Sequence, residues 1–341
     1  MKHGTLQYQV KNIIKLISLP LAVFIVMNIV DMTIAGTTTV SSITDLKTLL
    51  RTGLTCYCFA LALNCNLLSG RMDLSAGAQM FMGCIFGGNL ALQLNLGGIG
   101  VLIFSMAGGA LCGLLVGLLF VNLRILPMVL GLGMTLIFEC FSFGAYNQQG
   151  LMLYGKQGVA ILSDVTFILI VAVLVLAVMT YLFQYSPFGY RRRAIQGNQK
   201  LAADAGINIF VNCVVCYVLA GALVACAGVF DTAYKGSLTP VLGMSSNSSV
   251  FSNMFPLFLG IYIGGYIGNP ILGVLSGSIS VRLLILGLSK LSMEGSVQNI
   301  IVYSLFLLFM IYKMNVDKLD YLKKKKERIR LAQQTKLYMQ N

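Results

Sequence analysis

Charged residues and histidine are scarce in this chain. Of its 341 residues only 10% are charged and one is histidine, His3, whereas 57% are hydrophobic. Soluble domains usually carry about 25% charged residues, so the composition excludes an ordinary soluble enzyme or binding domain. A single histidine near the N-terminus also excludes a histidine-based triad or proton relay. The composition is typical of a protein that crosses a membrane many times.

Motifs that carry enzymatic chemistry are missing as well. The 11 Asp and Glu residues are scattered, and no phosphate-binding loop of glycines followed by Lys-Ser or Lys-Thr occurs. The chain is therefore not expected to be an enzyme or to hydrolyse ATP by itself. We expect no catalytic residues and no cofactor in this chain. Its energy then has to come from an ion gradient or from another protein.

The nine cysteines lie mostly inside apolar runs, where cysteine packs as a small apolar residue. Cys213 and Cys216 have the spacing of a redox or metal-binding pair, but no histidine or further cysteine accompanies them. The sequence therefore predicts neither a disulfide scaffold nor a metal site.

Long apolar runs predict about ten transmembrane helices, because a hydrocarbon core of roughly 30 Å requires about 20 apolar residues per helix. The predicted spans are residues 13–35, 48–69, 75–96, 99–120, 125–143, 165–183, 209–230, 250–267, 270–288 and 297–313. The predicted fold class is an all-α polytopic membrane protein in which some helices are short or broken. Residues 1–341 are taken as a single transmembrane domain, and the first run is too long for a signal peptide.

The net charge of +13 is explained better by membrane topology than by nucleic-acid binding. If the spans alternate, one side receives the cations of the N-terminus, Arg71, Arg124, residues 191–200 and the tail 313–341. Loops rich in Lys and Arg stay in the cytoplasm, so both termini are predicted to be cytoplasmic. Loops 144–164 and 231–249 are predicted to lie outside, and the basic tail is expected to contact anionic lipids.

A few polar residues interrupt the apolar runs and are candidates for a translocation path or gate. Two of them are charged and fall within predicted spans, where a charge costs about 2.5–3.5 kcal/mol and needs a partner or a wet cavity. For these two we favour a structural or gating role over a proton relay. Asp73 or Ser75 can alternatively cap the helix that follows. The candidate residues are Asn64, Asn66, Asp73, Ser75, Gln79, Glu139 and Arg282.

Glycines recur at intervals of four residues within the spans, a pattern that allows close helix packing. The repeated positions are Gly109, Gly113 and Gly117; Gly260, Gly264 and Gly268; and Gly273 and Gly277. These glycines predict a tightly packed bundle and do not specify a function.

The main polar interruption of the chain is residues 186–207, which contain four cations and one acid. Pro187 and Gly189 break the preceding span, and the following residues predict a short helix. Leu201 offers an apolar contact, and small alanines beside it allow another surface to approach. We interpret this segment as the place where an external motor binds.

Two segments resemble the ribose-type (monosaccharide) ABC transporter permease family. The first, Gly70-Arg71-Met72-Asp73-Leu74-Ser75-Ala76-Gly77, resembles the family signature Gly-Gly-Ile-Asp-Leu-Ser-Val-Gly. The second, residues 188–207, is similar to the cytoplasmic loop that docks on the ATPase subunit. The order and spacing of both segments agree, so the resemblance covers most of the chain. The chain departs from the pattern at Arg71, where a second glycine is usual, and at residues 244–250.

The resemblance implies an importer permease in a bacterial cytoplasmic (inner) membrane, with a monosaccharide or related small polar solute as its substrate. It implies a partner ATPase that binds ATP and Mg, an extracytoplasmic solute-binding protein, and a second permease copy or homologue. The residues carried over to the cytoplasmic coupling helix and loop are Gly189, Arg191, Gly197, Asn198, Ala202, Ala203 and Gly206.

Other functions remain compatible with the residues. Permeases for nucleosides or branched-chain amino acids share the broad architecture. An ion-coupled secondary transporter would need buried acids or broken helices near the membrane midplane. A scaffold protein would transport nothing.

Overall fold

Helices make up nearly all of the structure, as the apolar runs predict. The structure is a computed structural model that describes residues 6–156 and 158–340. The α-helices in this part of the chain are α1 (Leu6–Ile34), α2 (Ile43–Leu67), α3 (Ala76–Gln93), α4 (Gly97–Leu123), α5 (Pro127–Gly144), α6 (Val165–Thr180), α7 (Pro187–Gly197), α8 (Gln199–Asp204), α9 (Ile209–Lys235), α10 (Asn247–Ile267), α11 (Pro270–Lys290) and α12 (Gly295–Gln340). Two short strands, β1 (Leu151–Met152) and β2 (Ser237–Leu238), pair with each other. His3 lies outside the described residues.

Nine described segments are long and apolar enough to cross a membrane. They are Asn12–Ile34, Ile43–Leu67, Gly97–Leu123, Pro127–Gln148, Val165–Tyr185, Ile209–Lys235, Asn247–Ile267, Pro270–Lys290 and Gly295–Leu331. The predicted span 75–96 forms α3, which is less apolar because it carries Gln79, Asn89 and Gln93. The prediction of an all-α polytopic membrane protein is confirmed.

Local sequence signals set where several helices begin. Helices α5, α7 and α11 start at Pro127, Pro187 and Pro270, in the first helical position, where a missing N–H is no loss. The side chain of Asn208 caps α9, and that of Asn269 caps α11. These signals match the predicted span boundaries closely.

The chain divides into two compact units, Met1–Leu291 and Ser292–Asn341. The described part of the first contains α1 to α11. The second contains α12, one continuous helix that includes the last predicted span, 297–313, and most of the basic tail. Within the described residues the tail is helical. The assignment of the whole chain to a single domain stays a prediction.

Glycines bring helix backbones into contact inside the first unit. Helices α4 and α9 cross at Gly109 and Gly221, where a Cβ on either glycine would overlap the carbonyl oxygen of the other. Gly260 of α10 faces Gly273 of α11 in the same way. The predicted close packing is thus present. Gly268 differs from the prediction, because it ends α10 with φ +75° and a Cβ there would meet nothing within 4 Å.

Loops 144–164 and 231–249 meet at one end of the first unit. Leu151 pairs with Leu238 and Met152 with Ser237 across the two strands. The Arg51 side chain, in the first part of α2, donates to the Ser163 carbonyl and so joins the same end. Because α2 has 25 residues, at about 1.5 Å each, its C-terminus lies at the opposite end.

Three segments of the first unit that are predicted to be cytoplasmic lie together. The turn after α2, the end of α4 and the start of α8 line one cavity, to which they contribute Arg71, Arg124 and Gln199. The sharing of one cavity by these three segments agrees with the predicted threading at this end, and the complete threading stays a prediction.

Candidate functional site

A buried hydrogen-bonded cluster lies where α3 begins. Asp73 Oδ1 accepts hydrogen bonds from the Ser75 N–H at 2.9 Å and from the Ser75 hydroxyl at 2.6 Å. Gln79 Nε2 donates to Asp73 Oδ2 at 2.9 Å and to Ser75 Oγ at 2.8 Å. Ser75 occupies the N-cap position, but its side chain accepts no hydrogen bond from a backbone N–H group of the helix. Asp73 therefore organises this turn through its bonds to Ser75 and Gln79. Burial raises the pKa of Asp73, and the hydrogen bonds from Ser75 and Gln79 act in the opposite direction.

Helix α5 links the starts of α3 and α10. Glu139 of α5 accepts from the Met244 N–H and the Ser246 N–H, each at 2.8 Å. A carboxylate is favoured beside the N–H groups at a helix start, so the buried charge of Glu139 is compensated there. Gly77 of α3 lies directly against the Ser246 carbonyl. Four of the predicted residues, Asp73, Ser75, Gln79 and Glu139, are therefore in the region where α3, α5 and α10 meet.

Arg282 lies elsewhere and does not pair with Glu139. It lines a cavity of about 220 Å³, and its Nε and Asn253 Oδ1 have no hydrogen-bond partner. The polar side chains that line this cavity are of the kinds that can bind a solute with several hydroxyl groups. The residues that line the cavity are Thr55, Cys56, Phe59, Met80, Ala227, Asp231, Lys235, Ser249, Ser252, Asn253 and Arg282.

Asn64 and Asn66 are buried near the end of α2, and neither side-chain amide has a hydrogen-bond partner. Neither residue lines the Arg282 cavity. An unpaired buried amide is unfavourable by about 1–3 kcal/mol. The structure therefore places these two predicted residues outside the Arg282 cavity, whereas the Asn66 carbonyl accepts from the Arg71 N–H at 3.2 Å, in the turn that leads to Asp73.

The segment 186–207 forms two short helices where the sequence predicted one. Ser186 Oγ accepts from the Gly189 N–H at 3.3 Å at the start of α7. Asn198, with φ −160°, interrupts the helix. Its Oδ1 accepts from the N–H groups of Lys200 and Leu201 at 3.0 and 3.2 Å and begins α8. An asparagine side chain that competes for backbone N–H groups in this way starts a new helix.

The predicted coupling residues fall into two groups by exposure. The exposed group is Arg191, Gly197, Asn198, Ala203 and Gly206. Gly189 and Ala202 are buried, and a Cβ at Gly189 would overlap the Phe183 carbonyl. Because these two residues pack inward, they shape the segment and do not form its surface. Leu201 is 66% exposed and extends the exposed surface with an apolar side chain.

Arg192 is the residue of this segment that sequence reasoning missed. It is buried, donates to the Asn64 carbonyl at 2.6 Å and to the Cys65 carbonyl at 3.2 Å, and lies 4.4 Å from the centre of the Phe183 ring. Carbonyls in the last turn of a helix lack helical partners and favour a cation. Arg192 thus joins α7 to the end of α2. The three-residue spacing of Gly189, Arg192 and Ile195, the buried face of α7, was the available signal.

The chain also matches a known family of transport proteins. The family described as the branched-chain amino acid transport system / permease component matches residues 45–311. The chain belongs to this permease family. The matched region of the permease includes the Asp73 cluster, the Arg282 cavity and the segment 186–207.

Several curated proteins are similar to the permease. It is 24% identical to the fructose import permease protein of Rhizobium meliloti over 234 residues, which are 65% of this chain and 64% of that protein. It is 24% identical to the galactose/methyl galactoside import permease protein of Haemophilus influenzae over 284 residues, 76% of this chain and 82% of that one. The ribose import permease protein of Bacillus subtilis is 31% identical over 132 residues, 39% of this chain and 40% of that one. No solved structure matches the chain significantly.

Proposed function

We propose that this permease is the membrane-spanning subunit of an ATP-driven ABC importer for a monosaccharide or a related small polar solute. The observation that carries the proposal is its membership of the permease family, whose similar curated proteins are named as fructose, galactose and ribose import permeases. The cavity around Arg282 is compatible with a small polar solute, because hydroxyl, amide and charged groups line it.

In this proposal the Arg282 cavity is part of the solute path. Arg282 and Asn253 offer an unpartnered donor and acceptor, and Ser249 and Ser252 add hydroxyl groups. The Asp73 cluster and Glu139 do not contact the solute. The carboxylate oxygens of Asp73 and Glu139 already accept hydrogen bonds, so these residues hold the helices that enclose the path.

The exposed surface of residues 186–207 is the proposed contact with an ABC ATPase, which would bind ATP and Mg. A partner changes a conformation only through contacts that differ between two states. Arg192 supplies a connection for such a change, since it links α7 to the carbonyls at the end of α2. Helix α2 also contributes Thr55, Cys56 and Phe59 to the Arg282 cavity, so movement of α7 would reach the solute path through one helix.

The remaining partners follow from the same arrangement. We place the permease in the bacterial cytoplasmic membrane with both termini in the cytoplasm. An extracytoplasmic solute-binding protein would then dock at the end formed by loops 144–164 and 231–249, and a second permease copy or homologue would complete the transporter. The basic segment of α12 would contact anionic lipids. No nucleic acid has a place in this function.

Uptake by reconstituted vesicles tests the proposal. The permease, its cognate ATPase and its binding protein would be incorporated together and supplied with radiolabelled fructose, galactose, ribose or leucine. We expect uptake of a sugar that requires ATP, stops with vanadate and continues when an uncoupler removes the ion gradient. Uptake abolished by the uncoupler alone would indicate an ion-coupled transporter. Uptake of leucine without any sugar would contradict the proposed solute class.

A further inference from the structure

The unit Met1–Leu291 contains a second cavity. This cavity lies at the same end of the unit as residues 186–207. Its volume is about 400 Å³, within the range of ligand sites in proteins. Arg71 and Arg124 line it, and none of the lining residues is acidic. The lining residues are Gly70, Arg71, Phe120, Val121, Arg124, Ile125, Leu126, Pro127, Gln199, Ile209, Phe210 and Cys213.

Arg71 is a buried cation, and no ion pair to it is found in the described part of the chain. Only 4% of the residue is exposed, and its two terminal nitrogens have no nitrogen or oxygen acceptor, although its side chain interacts with the Cys213 thiol. The carboxylate of Asp73, two residues along the chain, already accepts hydrogen bonds from Ser75 and Gln79. A guanidinium carries five N–H donors, and burying it without a partner is strongly unfavourable. An anion in this cavity would remove that penalty.

The other walls indicate what kind of anion fits. Arg124 ends α4 in the left-handed conformation at φ 53° and places a second cation at the cavity. Apolar side chains form most of the remaining lining, and the wall extends to the surface at Leu126 and Phe210, which are 72% and 54% exposed. A small inorganic anion would use the cations alone. A ligand with an anionic head and an apolar chain uses both parts of the cavity.

We propose that this cavity binds an anionic phospholipid, whose phosphate group contacts Arg71 and Arg124 and whose acyl chain lies along Leu126 and Phe210. Guanidinium groups form strong, charge-assisted hydrogen bonds to phosphate, and basic pockets between membrane helices are typical sites for lipid head groups. The site is separate from the Arg282 cavity and does not depend on the transported solute.

A single fluorescent reporter tests lipid binding. The chain contains no tryptophan, so Phe210→Trp places one in the cavity wall. The purified variant would be reconstituted in vesicles that contain equal fractions of brominated phosphatidylglycerol or brominated phosphatidylcholine. We expect stronger quenching by the anionic lipid, and a preference reduced about fivefold when Arg71→Gln is added.

Two control variants separate this site from general lipid contact. Leu111→Trp reports on a site on α4, outside the cavity, where the side chain is 65% exposed, and should show no preference for head group. Arg328→Gln removes a cation from the exposed part of α12, and should leave the preference of the Phe210→Trp reporter unchanged. If Arg71→Gln does not fold, Arg124→Gln should reduce the preference and Arg71→Lys should retain part of it.

Equal quenching of Phe210→Trp by the two lipids would overturn the proposal. So would a preference that survives removal of both arginines. Inorganic phosphate that abolishes the preference at low concentration would show that the cavity is a site for free phosphate, and would also overturn the lipid assignment.

Discussion

Two regions of the permease contain charged side chains within the membrane-spanning helices. The two regions differ in how many hydrogen bonds those side chains make. At the start of α10, both oxygens of Glu139 accept backbone N–H groups at 2.8 Å. In the cavity lined by residues of α2, α3, α9, α10 and α11, Arg282 Nε and the side-chain oxygen of Asn253 both lack a hydrogen-bond partner. The first arrangement stabilises the fold, and the second leaves hydrogen-bonding capacity for a solute. The comparison predicts that substitutions at Glu139 change stability, whereas substitutions at Arg282 change transport.

The largest loss of stability is expected for Glu139→Ala. Removing the carboxylate leaves the Met244 and Ser246 N–H groups without their acceptor, at about 1–3 kcal/mol each. We expect the free energy of unfolding to fall by about 3 kcal/mol, measured by denaturation in detergent. Glu139→Gln keeps one acceptor oxygen, so its free energy of unfolding should fall by a smaller amount. A stable Glu139→Ala variant with impaired transport would reverse the assigned roles.

A smaller loss is expected for Arg192→Ala, which removes the hydrogen bonds to the Asn64 and Cys65 carbonyls. Hydrogen bonds to charged groups contribute about 1.5–3 kcal/mol, so the free energy of unfolding should fall by about 2 kcal/mol. The rate of uptake should fall by more than the loss of folded protein explains, because α7 is no longer bonded to α2. Arg193→Ala is the matched control, since Arg193 is exposed and donates only to the Gln184 carbonyl at 3.1 Å. Equal effects of the two substitutions would contradict a link through Arg192.

Arg282→Ala should leave the free energy of unfolding within about 1 kcal/mol of the original value, because no hydrogen bond of its Nε is lost. The KM for the transported sugar should rise about tenfold, the loss expected for one charge-assisted hydrogen bond. Initial uptake rates over a range of sugar concentrations measure this. Asn253→Ala should act in the same direction. An unchanged KM in both variants would remove the cavity from the solute path.

The smallest effect on stability is expected for Gly197→Trp and Ala203→Trp, both on the exposed surface of residues 186–207. A Cβ at Gly197 meets nothing within 4 Å, so the larger side chain should be accommodated while it blocks an incoming ATPase. Pull-down with the cognate ATPase should fail although the permease is inserted normally. Ala202→Trp provides the contrast, because Ala202 is buried and that substitution should destabilise the segment itself. Normal pull-down and uptake by both exposed variants would contradict the coupling assignment.

The sequence predicted those features that neighbouring residues determine. Apolar runs located the long helices, Pro187 marked the start of α7, and Asn208 marked the start of α9. Features that depend on distant residues were not predictable. Glu139 binds N–H groups more than 100 positions away, and no local pattern specifies such partners. Sequence position alone grouped Asn64 with Arg282, although Asn64 does not line the cavity to which Arg282 contributes.

The helix crossings at glycine have a consequence for how transport would occur. Backbones in direct contact cannot slide past each other without overlap, so α4 with α9, and α10 with α11, should each behave as a rigid block. The cavity takes Ala227 and Asp231 from the first block, and Asn253 and Arg282 from the second. A small rocking of one block against the other would therefore widen or close the cavity proposed for the solute, while the interior of each block stays unchanged.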